Sequence, residues 1–197
     1  MTIKNKEQRV GVFIDIQNLY HSAKNLYNAR VNYKELLKTL VAGRKLIRAI
    51  AYVVKADIEG HEPHKITDGD HGTRPQKDDS QGEKALTPEA SFFDALRRVG
   101  IELRMKDIQI FASGAKKADW DVGLAVDAIK MAPKLDAVVI VSGDGDFLPL
   151  LEYLKINEGC QVEVAAFSRS ANAKIKEVAD EFVPVEDIPK ILIKKNY

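Results

Sequence analysis

The sequence has few of the features that mark secreted, membrane or disulfide-rich proteins. Its one cysteine, Cys160, cannot form a disulfide within the chain, which fits a reducing compartment. The setting of this residue, CQVEVAAF, predicts a structural thiol rather than a nucleophile. No apolar run is long enough to cross a bilayer, and the start of the chain, MTIKNKEQRV, has no apolar leader segment. We therefore expect a cytoplasmic protein without a membrane partner.

The chain also lacks a strong excess of charge of either sign. Its 30 basic and 29 acidic residues leave a formal net charge of +1. Because there is no broad basic field, a nucleic-acid partner would have to be held by a local patch. The chain has 197 residues, of which 45% are hydrophobic, and this is enough for one sizeable core. We expect a single domain over residues 1–197.

Strand patterns alternate with helical patterns along most of the chain. Strands are predicted at 10–14, 46–54, 101–105 (with an extension over 108–111), 137–141 and 162–167. Helices are predicted at 19–27, 32–42, 87–99, 118–131, 147–154 and 172–182, the second with Asn32 as its N-cap and Glu35 reaching back to it. This alternation predicts a three-layer α/β fold with a mainly parallel sheet in the strand order 3-2-1-4-5.

Residues 58–85 break this pattern. They are rich in Gly, Pro, Asp, Lys and His, with almost no apolar residue to bury, so we expect a mobile surface insertion. His61, His64 and His71 follow the spacing H-x2-H-x6-H, which is one argument for a zinc site. No rigid element would hold these side chains in tetrahedral geometry, so a solvated loop is the preferred interpretation.

Acidic residues follow the carboxyl ends of two predicted strands. Asp15 ends the first strand in FIDIQN, and Asp144 and Asp146 follow the fourth in VIVSGDGDF. In the predicted order these strands are neighbours, so the carboxylates converge at the edge where open α/β sheets bind ligands. Carboxylates so close together favour a hard cation such as Mg²⁺ or Mn²⁺. Such a site can activate a water for attack on a phosphodiester.

Several of these residues also have a purely structural interpretation. Asp146 stands where an N-cap is wanted, and Asp144 lies between two glycines, as a turn residue would. Asn18 is either an N-cap or a side chain that orients Asp15 or a metal-bound water. Asp15 is the hardest to explain in this way, because an unpaired carboxylate between two isoleucines would be costly to bury.

A further set of acids lies at the start of the helix predicted at 118–131. Asp119 is expected to cap this helix, and Asp121 is a first-turn acid that the helix dipole favours. Asp127 follows Asp121 by six residues, which is about 120° of rotation on a helix. We therefore expect only one of these two side chains to face the site.

Three motifs occur in the order FIDIQN, KKADWDVGLAVDAI and VIVSGDGDF. Together they resemble the NYN domain family, in its LabA-like (DUF88) branch, a relative of the PIN nucleases, over about residues 10–182. The resemblance implies a PIN-like sandwich and a metal-dependent ribonuclease site. The implied catalytic and metal-binding residues are Asp15, Asp121, Asp144 and Asp146, supported by Asn18, Asp119 and Asp127, with Lys116 and Lys117 near the substrate phosphate. The family commonly shows SGDSDF, and Gly145 replaces the serine here.

The leading hypothesis is a Mg²⁺- or Mn²⁺-dependent endoribonuclease that hydrolyses single-stranded RNA. The alternative is an RNA-binding or regulatory module that keeps the acidic pocket but turns over slowly or not at all. Phosphatase chemistry of the haloacid dehalogenase type is disfavoured, because Asp15-Ile16-Gln17 lacks the second acid that this chemistry needs. A homodimer paired through edge elements is left open.

Overall fold

The computed structural model describes residues 4–54, 87–106, 109–110, 116–117 and 120–194. The strands are β1 (Arg9–Asp15), β2 (Ala29–Val31), β3 (Lys45–Val54), β4 (Glu102–Lys106), β5 (Gln109–Ile110), β6 (Lys116–Lys117), β7 (Ala137–Val141), β8 (Gln161–Ala166), β9 (Glu181–Pro184) and β10 (Leu192–Lys194). The helices are α1 (Ile16–Tyr27), α2 (Tyr33–Val41), α3 (Pro88–Arg98), α4 (Asp121–Met131), α5 (Leu148–Ile156) and α6 (Ala173–Val178). The predicted insertion at 58–85, with His61, His64 and His71, lies outside the described residues, as does Asp119.

Six parallel strands form the central sheet in the order β4-β3-β1-β7-β8-β9. The five predicted strands lie in the predicted order, so the α/β fold class is confirmed. The sheet differs in detail by its sixth strand, β9, which covers residues predicted to be helical. Helix α6 ends at Val178, and Phe182 pairs with Val164 instead of continuing the helix. Only Glu181 and Phe182 of the predicted helix lie in β9, and their backbone pairing with β8 overrides the helical side-chain pattern.

Two antiparallel pairs complete the described strands. β10 pairs with β2, and β5 pairs with β6. The predicted extension of the third strand over 108–111 is therefore wrong, because β5 belongs to its own pair rather than to β4.

Helices cover both faces of the central sheet. α1, α2 and α3 pack in one hydrophobic layer, and α4, α5 and α6 pack in the other. β1 shows the division, since Val12 and Ile14 point into the first layer and Phe13 into the second. β7 is buried along its whole length, as expected for a central parallel strand. Within the described residues, no helix has both the length and the apolar character needed to cross a membrane.

The start of α2 shows how tertiary contacts change a local pattern. Asn32 is its N-cap, as predicted, and its side-chain oxygen accepts from the Glu35 N–H at 3.4 Å. The Asn32 N–H, however, donates to the Ile191 carbonyl at 2.7 Å. The predicted reach of Glu35 back to this N–H is therefore wrong, because the segment before β10 supplies the acceptor.

Candidate functional site

An open cleft of about 390 Å³ lies at the carboxyl edge of the central sheet. The end of β1, the loop after β7 and the first turns of α1 and α4 meet there because the strands are parallel. The lining residues are Asp15, Gln17, Asn18, His21, Ser22, Asp121 and Asp144. Three of the four predicted catalytic carboxylates therefore share one cleft. We identify this cleft as the candidate functional site.

Asp15 is the N-cap of α1, whereas the sequence analysis considered Asn18 for a cap. The Oδ1 atom of Asp15 accepts from the Asn18 N–H at 3.1 Å, and its Oδ2 atom accepts from the Ser142 hydroxyl at 3.0 Å. Burial raises the pKa of Asp15 above its usual value, the nearby charge of Asp144 raises it further, and the two hydrogen bonds partly offset this increase. The protein thus holds a carboxylate where its charge is costly.

Asn18 lies in the first turn of α1 and fastens this helix to the loop after β7. Its side-chain oxygen accepts from the Gly143 N–H at 2.9 Å. The bond joins the FIDIQN motif to the SGDGD motif across the switch point of the sheet. Asn18 therefore fixes the distance between the elements that carry Asp15 and Asp144.

Ser142 is a site residue that the sequence analysis missed. Its hydroxyl donates to Asp15 and also accepts from the Asp144 N–H at 3.2 Å, so one buried side chain connects both acidic segments. The signal was present in the sequence as a hydroxyl residue directly after the apolar run of β7. Only the pairing of β1 with β7 shows which carboxylate this hydroxyl contacts.

Asp144 and Asp146 differ in position although they are two residues apart. Asp144 caps the short turn Gly145–Phe147, and its Oδ1 atom accepts from the Asp146 N–H at 3.0 Å. The predicted cap at Asp146 is wrong, since α5 has Phe147 at its N-cap position and Asp144 caps the turn before it. Asp146 is exposed and is not among the residues that line the cleft. Its predicted catalytic and metal-binding role is not supported by this placement.

The two glycines of the SGDGD loop allow the loop after β8 to pack closely. A Cβ atom at Gly143 would lie 3.0 Å from the Ala171 Cα atom, and one at Gly145 would lie 2.5 Å from Asn172 Nδ2. The Asn172 N–H also donates to the Gly143 carbonyl at 2.9 Å. Gly145, where the family commonly has serine, therefore leaves room for the Asn172 side chain.

α4 brings Asp121 to the cleft in its first turn. Trp120 is at its N-cap position and makes no side-chain cap bond, while Asp119, the predicted cap, lies outside the described residues. The Trp120 indole N–H donates instead to the Val53 carbonyl at 3.0 Å, which ties the start of the helix to the end of β3. This contact places Asp121 at the carboxyl edge of the sheet.

Asp127 lies away from the cleft, so only one of the two α4 acids faces the site, as expected. It accepts from the Tyr52 hydroxyl at 3.0 Å and lies 3.4 Å from Arg104 Nε. These contacts join α4 to β3 and β4. Asp127 is therefore a positioning residue for the helix that carries Asp121.

The different roles of Asp121 and Asp127 can be separated by substitution. Asp127→Asn keeps an acceptor for Tyr52 and is expected to change any metal-dependent activity of the cleft less than about threefold, since Asp127 does not line the cleft. Asp121→Asn is expected to lower that activity at least about tenfold, since the cleft loses one of the carboxylates that could hold the cation. Initial rates at matched folded fraction check both. Equal losses would contradict these assignments.

The donor atoms of the cleft suit a hydrated magnesium or manganese ion. Asp15, Asp121 and Asp144 offer hard oxygen atoms, and burial, which raises the pKa of Asp15, is a cost that a bound cation would reduce. Across the part of the chain that the structure describes, no three His, Cys, Asp or Glu side chains are gathered closely enough to enclose a metal. Mg²⁺ sites in proteins commonly use one or two carboxylates and keep several waters.

Five further residues concern the site: two predicted lysines of β6 and three side chains of α1 that were not predicted. The backbones of Lys116 and Lys117 form β6, but their side chains lie outside the description, so their role at the substrate phosphate stays a prediction. His21, Gln17 and Ser22 were not predicted. Their signal is helical spacing, because Gln17 and His21 stand four residues apart and share a face of α1.

Comparison with known proteins gives the family of this chain. The chain is similar to the Low amplitude and bright protein LabA of Synechococcus elongatus, with 24% identity over 119 residues, which are 57% of this chain and 63% of that protein. The chain thus matches less than two thirds of that relative's length. It is also similar to the crystal structure of a protein of unknown function, VPA0982, from Vibrio parahaemolyticus, with a TM-score of 0.75, 26% identity and coverage of 98% of this chain and 100% of the other. The model of the NYN domain matches residues 9–186, and this chain therefore belongs to the NYN domain family.

Proposed function

We propose that this protein is a Mg²⁺- or Mn²⁺-dependent endoribonuclease that hydrolyses single-stranded RNA. The observation that carries the proposal is the position of Asp15. Burial raises the pKa of its carboxyl group, and the same side chain lines a cleft shared with Asp121 and Asp144. Membership of the NYN family, within the PIN-like nucleases, supports the nuclease class. The metal, the substrate and the mode of cleavage are our proposals.

Asp15 and Asp144 would hold the metal, with Asp121 across the cleft from them on α4. When bound, the ion would neutralise these carboxylates, activate a water for in-line attack and stabilise the leaving oxygen. Ser142 keeps Asp15 oriented through its hydroxyl, and the Asn18 bond to Gly143 keeps the loop that carries Asp144 in place. The acids are thus fixed before substrate arrives, which reduces the reorganisation needed during reaction.

We infer that the cut is internal, and a circular RNA tests this mode because it has no terminus. Cleavage of a circular RNA would support this mode. Resistance of the circle, together with cleavage of the linear form, would show that the enzyme needs an end.

One observation favours the alternative of a binding module. The described carboxylates are not gathered into a ready metal cage, so a weakly occupied or silent site has the same appearance. The two functions differ in turnover, because a binding module would retain RNA without cutting it. Both use the same cleft, so the test has to measure binding and cleavage separately.

The experiment compares labelled single-stranded RNA incubated with protein in EDTA, in Mg²⁺ and in Mn²⁺. We expect cleavage only with metal and a loss of at least about tenfold in Asp144→Asn, because a carboxylate is removed with little change in size. Glu152→Gln is the matched control, since it removes one charge from an exposed position on α5. RNA that is bound but never cut would favour the binding module. Full activity of Asp144→Asn would refute the proposed site.

A further inference from the structure

The outer face of α1 carries polar and aromatic side chains that continue from the cleft. Gln17, Tyr20, His21 and Lys24 are spaced three, four and seven residues from the first, so they form one stripe on the helix. Gln17 and His21 line the cleft beside the acids. Tyr20 and Lys24 extend the same stripe away from it. We call these four residues the α1 stripe.

The aromatic pair of the α1 stripe is available for contact. The Tyr20 and His21 rings meet edge to face, with centroids 5.4 Å apart and an interplanar angle of 74°. His21 is exposed and Tyr20 is half-buried, and Tyr20 belongs to neither hydrophobic layer of the described core. The protein therefore does not use this ring to build its core.

A positive charge accompanies the aromatic pair. The Lys24 Nζ atom lies 5.7 Å from the centroid of the Tyr20 ring, and the side chain is exposed. The cleft itself is acidic, and the net charge of +1 supplies no general attraction for a polyanion. A substrate strand that enters the cleft would need cations beside it, and the α1 stripe provides one next to two rings.

We propose that the α1 stripe is a nucleotide-binding subsite for single-stranded RNA, next to the phosphate held in the cleft. This inference rests on the proposed function and names how the substrate is held. A base stacks on the Tyr20 ring beside the His21 side chain, and Lys24 contacts a backbone phosphate. Proteins that bind single strands commonly combine aromatic platforms with basic side chains in this way.

The same chemistry selects against double-stranded RNA. A base inside a duplex is already stacked on its neighbours, so its face is not free for Tyr20. An unpaired base loses little by moving onto the helix surface. The subsite therefore gives a physical reason for a single-stranded substrate, which the acidic cleft alone does not.

The test measures binding by fluorescence anisotropy in EDTA, with a labelled single-stranded oligouridylate and its duplex with oligoadenylate. Tyr20→Ala is expected to weaken single-strand binding about tenfold, and Tyr20→Phe less than about twofold because the ring is kept. Tyr153→Ala is the control, since it removes a partly exposed tyrosine from α5, on the other face of the sheet. Duplex binding should be weaker and unchanged by Tyr20→Ala.

The contribution of Lys24 is separated by salt. Lys24→Ala should reduce the slope of log K against log salt concentration by about 0.7, the value for one phosphate contact on a single strand, and Tyr20→Ala should leave this slope unchanged. Unchanged single-strand binding in Tyr20→Ala would overturn the subsite, as would no binding by the wild-type protein. If binding depends on Tyr20 but the RNA is not cleaved when metal is present, the proposed nuclease activity is contradicted and the subsite is supported.

Discussion

Asp15→Asn is expected to lower metal-dependent RNA cleavage roughly a hundredfold, because a carboxylate that would hold the metal is lost and even supporting residues of metal sites cost about 10–100-fold. Asp15 lines the cleft and is fixed by bonds from Asn18 and Ser142. Asparagine is a good N-cap and nearly the same size, so α1 should remain intact. Initial rates over a range of Mn²⁺ concentrations measure the loss.

Asp187→Asn is the matched control for this substitution. Asp187 is an exposed aspartate in the turn after β9, and it is not among the residues that line the cleft. Its replacement should leave the rate unchanged. Wild-type activity in Asp15→Asn would remove Asp15 from the site.

Asp15→Asn is also expected to stabilise the protein in the absence of metal. Because folding raises the pKa of Asp15, its contribution to the free energy of unfolding is fully present below the ordinary aspartate pKa and is lost as the pH rises through the folded-state value. Asparagine carries no charge and has no such loss. In EDTA, Asp15→Asn should therefore melt above the wild type at neutral pH, with a change in Tm of about 2–4 °C per kcal/mol.

Thermal melts between acidic and neutral pH check the sign. The advantage of Asp15→Asn should shrink as the pH falls toward the ordinary aspartate pKa, where both side chains are uncharged. If Asp15→Asn is less stable than the wild type at every pH, the charged carboxylate stabilises the fold. The cleft would then lack the electrostatic cost on which our proposal rests.

Arg44→Met is expected to have the largest effect on stability. The Arg44 and Glu163 side chains are completely buried, with Nη1 to Oε1 at 2.5 Å and Nη2 to Oε2 at 2.9 Å. Arg44 also donates to the Leu40 carbonyl at 2.7 Å, so the pair joins the end of α2 to β8. Removing one partner of a buried pair typically costs about 3–5 kcal/mol. Glu163 would keep Lys4 Nζ at 3.7 Å and the hydrogen bond from Gln161 Nε2 at 2.6 Å, so we expect the lower end of this range. Melting curves should show a lowered Tm.

A second variant tests the cause of that loss. In Arg44→Met with Glu163→Leu neither charge remains, so much of the stability should return, as when a buried ion pair is replaced by apolar side chains. Both residues lie outside the cleft lining, and cleavage per folded molecule should not change. If Arg44→Met lowers the free energy of unfolding by less than about 1 kcal/mol, the buried pair stabilises the fold no more than an exposed ion pair does.

The sequence predicts the parts of this fold that follow from burial on both faces of the sheet. β7 agrees residue for residue with its apolar run, because a central parallel strand has no polar face. The neighbouring positions of β1 and β7 then bring Asp15 and Asp144 to one edge. The strand order alone therefore predicts that these two carboxylates lie close together, without knowledge of side-chain contacts.

The remaining features depend on contacts that no local pattern encodes. Asp146 turns outward because Asp144 takes the cap of the turn that follows, although either residue suits a cap equally well in sequence. Asp127 is held by Tyr52 and Arg104, which come from distant strands. The Ser142 hydroxyl could be assigned only once its strand had been paired with β1.

The α1 stripe shows a different limit. Tyr20 and His21 are ordinary positions in a helical pattern, and the sequence does not tell which helix face borders the acids. The cap at Asp15 sets the rotation of α1, and this rotation brings His21 into the cleft. A one-residue error in the start of the helix would turn the face by about 100°.

Calorimetric titration with Mn²⁺ of the wild type and of the paired variant Asp15→Asn, Asp144→Asn asks whether this cleft holds a metal. We expect saturable binding by the wild type and its loss in the variant, with RNA cleavage lost in parallel and the fold retained. Equal Mn²⁺ binding by both proteins, or none by the wild type, would contradict a metal site in this cleft.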